Sequence, residues 1–232
     1  MPVGRLLAFT SLFGITDGTA RTALSRMVAA GELANDDGTY RLSGRLLERQ
    51  TQQDVGRAGP PPVWDGTWWF VAVTTDRRSI AVRRDFRARA AGARLGEMRP
   101  DTWLRPANIE VPLDLPDVVL TRGPLLAGDE AALVARLWPL DHLEREATRH
   151  VEQLEATAAM LVADDRDQAL AHSFVTLAAA QRFLRSEPQL PESLSPGRAA
   201  GDLRTRYAVV VDEFQRRLAG FLTGRRRDVA SQ

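Results

Sequence analysis

The strongest constraint on the fold lies between Arg5 and Leu42, where glycines and one short polar turn punctuate two helical patterns and a hairpin pattern. From Arg5 to Phe13 the apolar residues Leu6, Phe9, Leu12 and Phe13 recur at helical spacing, and Gly14 stands where a helix C-terminal glycine belongs. Ile15-Thr16-Asp17-Gly18 predicts a tight turn, in which Thr16 or Asp17 accepts the free N–H groups that open a second helix reaching Ala30. Within that helix Ala20, Ala23, Leu24, Met27 and Val28 share one face, while Thr19, Arg21, Thr22, Ser25 and Arg26 populate the remainder. Gly31 closes it. Glu32-Leu33-Ala34 and Thr39-Tyr40-Arg41-Leu42 then flank Asn35-Asp36-Asp37-Gly38, an Asp-Gly hairpin signal.

Two helices joined by a very short turn and followed by a hairpin have the order of a winged helix-turn-helix. A helix entering the major groove needs small hydrogen-bonding residues, with Arg to grip guanine edges or phosphates. The expected contact set for double-stranded DNA is therefore Thr16, Thr19, Arg21, Thr22, Ser25 and Arg26, joined by Tyr40 and Arg41 on the hairpin. The same pattern also suits a solvated surface or a protein interface.

Composition narrows the classes. The 232 residues include no cysteine, which excludes disulfides, thiolate catalysis and cysteine-ligated zinc. All 31 basic residues are Arg, yet the formal net charge is +1, so a nucleic-acid surface must come from local charge placement. No apolar run approaches a membrane span or a secretory leader, and a cytoplasmic location is expected. The chain carries no phosphate-binding Gly-rich loop, paired-His metal motif or nucleophile elbow. No enzyme activity, cofactor or metal is expected, and the three His residues are expected at the surface or as caps.

The middle of the chain predicts an α+β unit. Trp68 to Val73 has the aromatic and β-branched content of a buried strand, and a helix follows Arg77-Arg78 with Val82, Phe86 and Ala90 facing inward. Strand-like pieces come at Ala93 to Met98, Trp103 to Arg105, Ile109 to Val111 and Val118 to Thr121. Nine Arg between Arg77 and Arg105 face three acids, Asp85, Glu97 and Asp101, and could dock an anion such as flanking DNA phosphates or the phosphates of a CoA ligand. Beyond it, Asp129 to Leu137, Asp141 to Val162, a segment holding Leu170, Phe174, Leu177 and Leu184, and Leu203 to Leu222 predict helices, with an extended connection from Pro188 to Pro196 and a frayed basic tail after Gly224. The expected domains are 1–48, a linker at 49–63 rich in Gln, Gly and Pro, 64–125 and 126–232.

Several blocks resemble the PaaX family of transcriptional repressors: Leu12-Phe13-Gly14-Ile15, Arg21-Thr22-Ala23-Leu24-Ser25-Arg26-Met27, Gly31-Glu32-Leu33 and Tyr40-Arg41-Leu42, then Gly66-Thr67-Trp68, Trp103-Leu104-Arg105-Pro106-Ala107-Asn108, Arg182-Phe183-Leu184-Arg185 and Pro188-Gln189-Leu190-Pro191. The resemblance implies an N-terminal winged helix-turn-helix, a central ferredoxin-like domain similar to the Cas2 fold and a helical C-terminal domain. It also implies a homodimeric repressor on a near-palindromic operator, released by an aromatic acyl-CoA. Family members usually carry a further helix ahead of the first one here, so it implies a start upstream of Met1 or a differently packed DNA-binding core. Two other readings stay open: a metal-dependent nuclease of the Cas2-like domain centred on Asp76, and an adaptor that binds no DNA.

Overall fold

The computed structural model describes residues 1–44, 46–47, 63–76, 78–126, 128–163, 167–195 and 197–230. The predicted 49–63 linker therefore lies, except for Val63, outside the described residues. The chain is α+β, with seven helices and two small antiparallel sheets among the described residues. It divides into two compact units that do not follow chain order: Met1–Arg57 groups with His150–Arg185 and Leu203–Gln232, and Ala58–Arg149 groups with Ser186–Asp202.

The first unit opens with α1 (Val3–Ser11), α2 (Asp17–Ala29) and the hairpin β1 (Leu33–Asp36) and β2 (Thr39–Leu42). Its other helical residues come from α5 (Leu140–Ala163), α6 (Asp167–Ser186) and α7 (Ala199–Ala230). Helix α7 continues through the stretch read from sequence as a frayed tail. The buried member of α1 is Leu7, which the apolar stripe read from sequence omitted, while Phe9 and Phe13 are only half-buried. Those two rings meet Phe174 of α6 edge-on, with centroids 5.1 and 5.4 Å away, and Phe174 also faces Phe214 of α7 at 6.4 Å. His150, expected at the surface, is buried with its ring 5.4 Å from Phe183.

The second unit is built on a four-stranded antiparallel sheet of β3 (Thr67–Val73), β4 (Gly96–Arg99), β5 (Thr102–Pro106) and β6 (Val118–Pro124), in the order β4-β5-β3-β6. Side chains alternate across the pleat. Val71 and Trp103 join Phe86 and Ala90 of α3 (Ile80–Gly92) on one face. Trp68 and Leu104 join Val134 of α4 (Glu130–Leu137) on the other. Both faces are covered, which is why the tryptophans of the strands pack as core and Trp68 is 1% exposed. Two expectations fail here. Val82 is 49% exposed, because the helix turns only Phe86 and Ala90 to the sheet. Residues 109–111 form no strand: the Ile109 carbonyl accepts from the Trp69 indole at 3.0 Å, and Val111 packs into the α3-side core.

Two sequence blocks, Trp103 to Asn108 and Pro188 to Pro191, meet inside this unit. The Arg105 side chain is fully buried and its guanidinium donates to the carbonyls of Pro106 (3.0 Å), Ala93 (3.3 Å), Arg94 (3.4 Å) and Pro188 (3.2 Å), and to Asn108 Oδ1 (3.1 Å). Asn108 Nδ2 in turn donates to the Gln189 carbonyl at 2.7 Å. Desolvation, with repulsion from Arg94, pushes Arg105 down to about 9 against the opposing pull of Glu187, which still leaves it protonated at neutral pH. A planar fork with five donors suits such a site, where an ammonium would leave acceptors bare.

Candidate nucleic-acid interface

Helix α1 ends as the glycine predicted: Gly14 takes φ +69°, and the Ile15 amide reaches back to the Thr10 carbonyl at 3.3 Å. Of the two capping candidates, Thr16 is the N-cap. Its Oγ1 accepts from the Thr19 amide at 3.4 Å, and Asp17 supplies a negative charge to the positive end of the helix dipole. At the far end the Gly31 amide donates to Val28 and the Glu32 amide to Met27, both at 2.9 Å, with Gly31 at φ +70°. This is a Schellman closure, which aims the chain out of α2 into β1.

The hairpin turn places Asp37 at φ 44° and Gly38 at φ 76°, the two positive φ values of a type I′ turn, and Asn35 Oδ1 accepts from the Gly38 amide at 3.1 Å. Its strands pair from Leu33↔Leu42 to Asp36↔Thr39. The outer edge of β2 is also paired: the Tyr40 amide donates to the Met1 carbonyl at 2.9 Å, the Val3 amide to Gly38 at 2.9 Å, and the Met1 amino group to the Tyr40 carbonyl. The residues that lead into α1 thus hold the hairpin beside the two helices.

These elements bring Thr16, Thr19, Arg21, Thr22, Ser25 and Arg26 onto one exposed stretch, with Arg41 exposed and Tyr40 half-buried on β2. At about 100° per residue, Thr22 and Ser25 fall mid-stripe and Arg21 and Arg26 on its two edges. Ala29 shares the stripe and was not singled out from sequence; Ala23, expected inward, is exposed. The Thr22 hydroxyl donates to the Gly18 carbonyl at 2.9 Å, so toward a ligand it can only accept. Thr16 and Thr19 share their hydroxyls at 3.0 Å.

Several other described arginines are tied down, among them Arg122 to Asp65 at 2.7 Å, Arg206 to Glu155 at 2.9 Å and Arg217 to Glu213 at 3.0 Å. Arg21, Arg26 and Arg41 are exposed and form no ion pair with a described residue. The outer stripe of α2 therefore presents two guanidiniums without breaking an existing pair, while Asp36 and Asp37 put two exposed acids at the hairpin turn.

The Arg-rich stretch from Arg77 to Arg105 offers an anion fewer guanidiniums than its composition suggested. Arg78 is buried against Asp101 and the Phe86 ring, Arg87 pairs with Glu97 and Arg89 with Asp85, and Arg94 and Arg105 are buried. Arg83 and Arg84 stay exposed and form no ion pair with a described residue, so the three acids leave the stretch with an excess of positive charge. Asp76 is exposed beyond the end of β3, and among the described residues no group of three or more His, Asp and Glu is placed to hold a metal ion. No described helix is long and apolar enough to cross a membrane.

Residues 1–46, the two helices and the hairpin, match the family described as PaaX-like protein. Among solved structures, the uncharacterized protein Rv0674 from Mycobacterium tuberculosis is similar at 31% identity with a TM-score of 0.72, covering 95% of this chain and 91% of that one. No curated protein matches the chain.

Proposed function

The chain belongs to the PaaX-like family, and from that premise we propose that it is a DNA-binding transcriptional regulator, not an enzyme, whose first 46 residues form a winged helix-turn-helix. The observation that carries this reading is the outer face of α2, where hydroxyl side chains lie between two exposed arginines that pair with no described residue, next to a type I′ hairpin. Small acceptors mid-stripe admit the helix to the major groove, and the flanking guanidiniums reach guanine edges or phosphates. In this reading Tyr40 and Arg41 place the hairpin as a wing.

The protein acts as a homodimeric repressor in the cytoplasm, two copies of α2 reading half-sites of a near-palindromic operator, with release by a small effector such as an aromatic acyl-CoA. The strand order β4-β5-β3-β6 supports a ferredoxin-like, Cas2-like second unit, in which residues 107–117 replace the second crossover helix with irregular chain.

The test is fluorescence anisotropy of the purified protein on the DNA upstream of its own gene against a shuffled duplex at matched salt. A clear preference for the native sequence is expected. Equal, weak binding to both overturns specific recognition, and binding with little salt dependence favours the adaptor reading.

A further inference from the structure

Helices α6 and α7 line a half-open cavity of about 460 Å³ in the first unit, within the range of small-molecule sites. Phe174, Leu177, Tyr207 and Phe214 supply an apolar wall, and Gln181, Arg182 and Arg185 supply polar groups one helical turn apart on α6. The two arginines come from the block Arg182-Phe183-Leu184-Arg185, whose other members face elsewhere: Leu184 is buried, and Phe183 lies against His150. Gln181 Nε2 is shielded from solvent and has no hydrogen-bond partner among the described residues. A buried donor without an acceptor is uncommon in folded proteins, and the side chain that carries it lines the cavity, with Nε2 itself turned out of it.

We propose that this cavity binds a small carboxylate with an aromatic body, and that occupancy is transmitted to α1 through Phe174. The rings take the aromatic part, the Arg185 fork suits a planar carboxylate, and a turn about the broad terminal torsion of Gln181 presents its amide to the same oxygens. Phe174 belongs to the cavity wall and also packs on Phe9 and Phe13 at 5.1 and 5.4 Å, so a ligand that repositions this ring repositions the seat of α1. The inference goes beyond the regulator reading, since the ligand is a free carboxylate and not the acyl-CoA thioester named there; it rests on that reading for its biological use, and binding itself is measured without DNA.

The experiment is calorimetric titration of the full chain with 2-naphthoate and with neutral 2-naphthylmethanol, followed by hydrogen exchange of the α1 amides with and without naphthoate. Naphthoate is expected to bind one per chain and at least tenfold tighter than the alcohol. Gln181→Leu and Arg185→Met should each weaken it about fivefold or more, as loss of a charge-assisted hydrogen bond does. Ala178→Trp, which fills the cavity, should abolish it, with circular dichroism confirming that each variant is folded; if Ala178→Trp fails to fold, the other two variants decide. Slowed exchange in α1 that is lost in Phe174→Leu supports transmission. Absence of binding, equal binding of the alcohol, or undiminished binding in the folded variants overturns the site, and binding without any change in α1 overturns the coupling. None of these outcomes depends on whether the protein recognises an operator.

Discussion

If the outer face of α2 reads DNA, Arg21→Ala and Arg26→Ala separate affinity from folding. Both side chains are exposed and unpaired with any described residue, so their truncation should shift unfolding stability by no more than about 0.5 kcal/mol. Five residues at about 1.5 Å each put them roughly 7.5 Å apart along the helix, close to two base steps of about 3.4 Å. Thr22 and Ser25 fall between them. Each lost base contact should cost about 1–3 kcal/mol, or roughly 5- to 150-fold in Kd on the preferred duplex. Arginines that far apart should act additively, giving about 2–6 kcal/mol for the double variant. Anisotropy titrations at several salt concentrations also sort the contacts. A phosphate contact lowers the slope of log K against log salt by about 0.9 and weakens all sequences alike, whereas a base contact leaves the slope and relaxes preference. Unchanged affinity and unchanged slope in both folded variants would refute the assignment of α2 as the reading helix.

Three further outcomes test the scaffold. Arg105→Ala leaves four carbonyls and Asn108 Oδ1 without their donor and should cost about 3–5 kcal/mol in urea unfolding; Arg105→Lys should recover little of it. Gly44→Ala should lower Tm more than Gly31→Ala, because both have positive φ but only at Gly44 would the new Cβ lie 2.8 Å from a backbone oxygen, that of Gly31. Asp65 accepts from the Thr67 hydroxyl and amide and from Arg122, and these bonds, the Thr67 hydroxyl foremost, hold its carboxyl below 3.8. Its contribution is therefore full above that value and lost as pH falls through the lowered one. The Tm gap between wild type and Asp65→Asn should be present at neutral pH and close on acidification.

The N-terminal elements were legible because their signals are local. A threonine cap, two αL glycines and an Asp-Gly turn act within four or five residues of themselves, and the structure places each as the sequence implies. In α1 the stripe read from sequence holds the two rings that meet Phe174, a partner from far along the chain, but it omits Leu7, the buried residue, since nothing local distinguishes Leu7 from Leu6. Val82 fails for a related reason: a helix lying on a sheet buries only the residues that reach it. The arginine-rich stretch shows the limit of charge counting, since the density of guanidiniums is visible in sequence but which of them are buried, or paired with Asp85, Glu97 and Asp101, is a tertiary fact. A fully buried Arg105 runs against the usual placement of charge, and its backbone acceptors give no sequence signal at all.

The seating of α1 on Phe174 bears on how such proteins can be recombined. A chimera that exchanges only the first 46 residues would carry Phe9 and Phe13 onto a foreign helix, so the graft would bring the proposed reading face but lose its footing. Exchanging specificity between relatives should succeed when the aromatic position on α6 travels with the graft, or when only the outer residues of α2 are swapped and the seat is left intact.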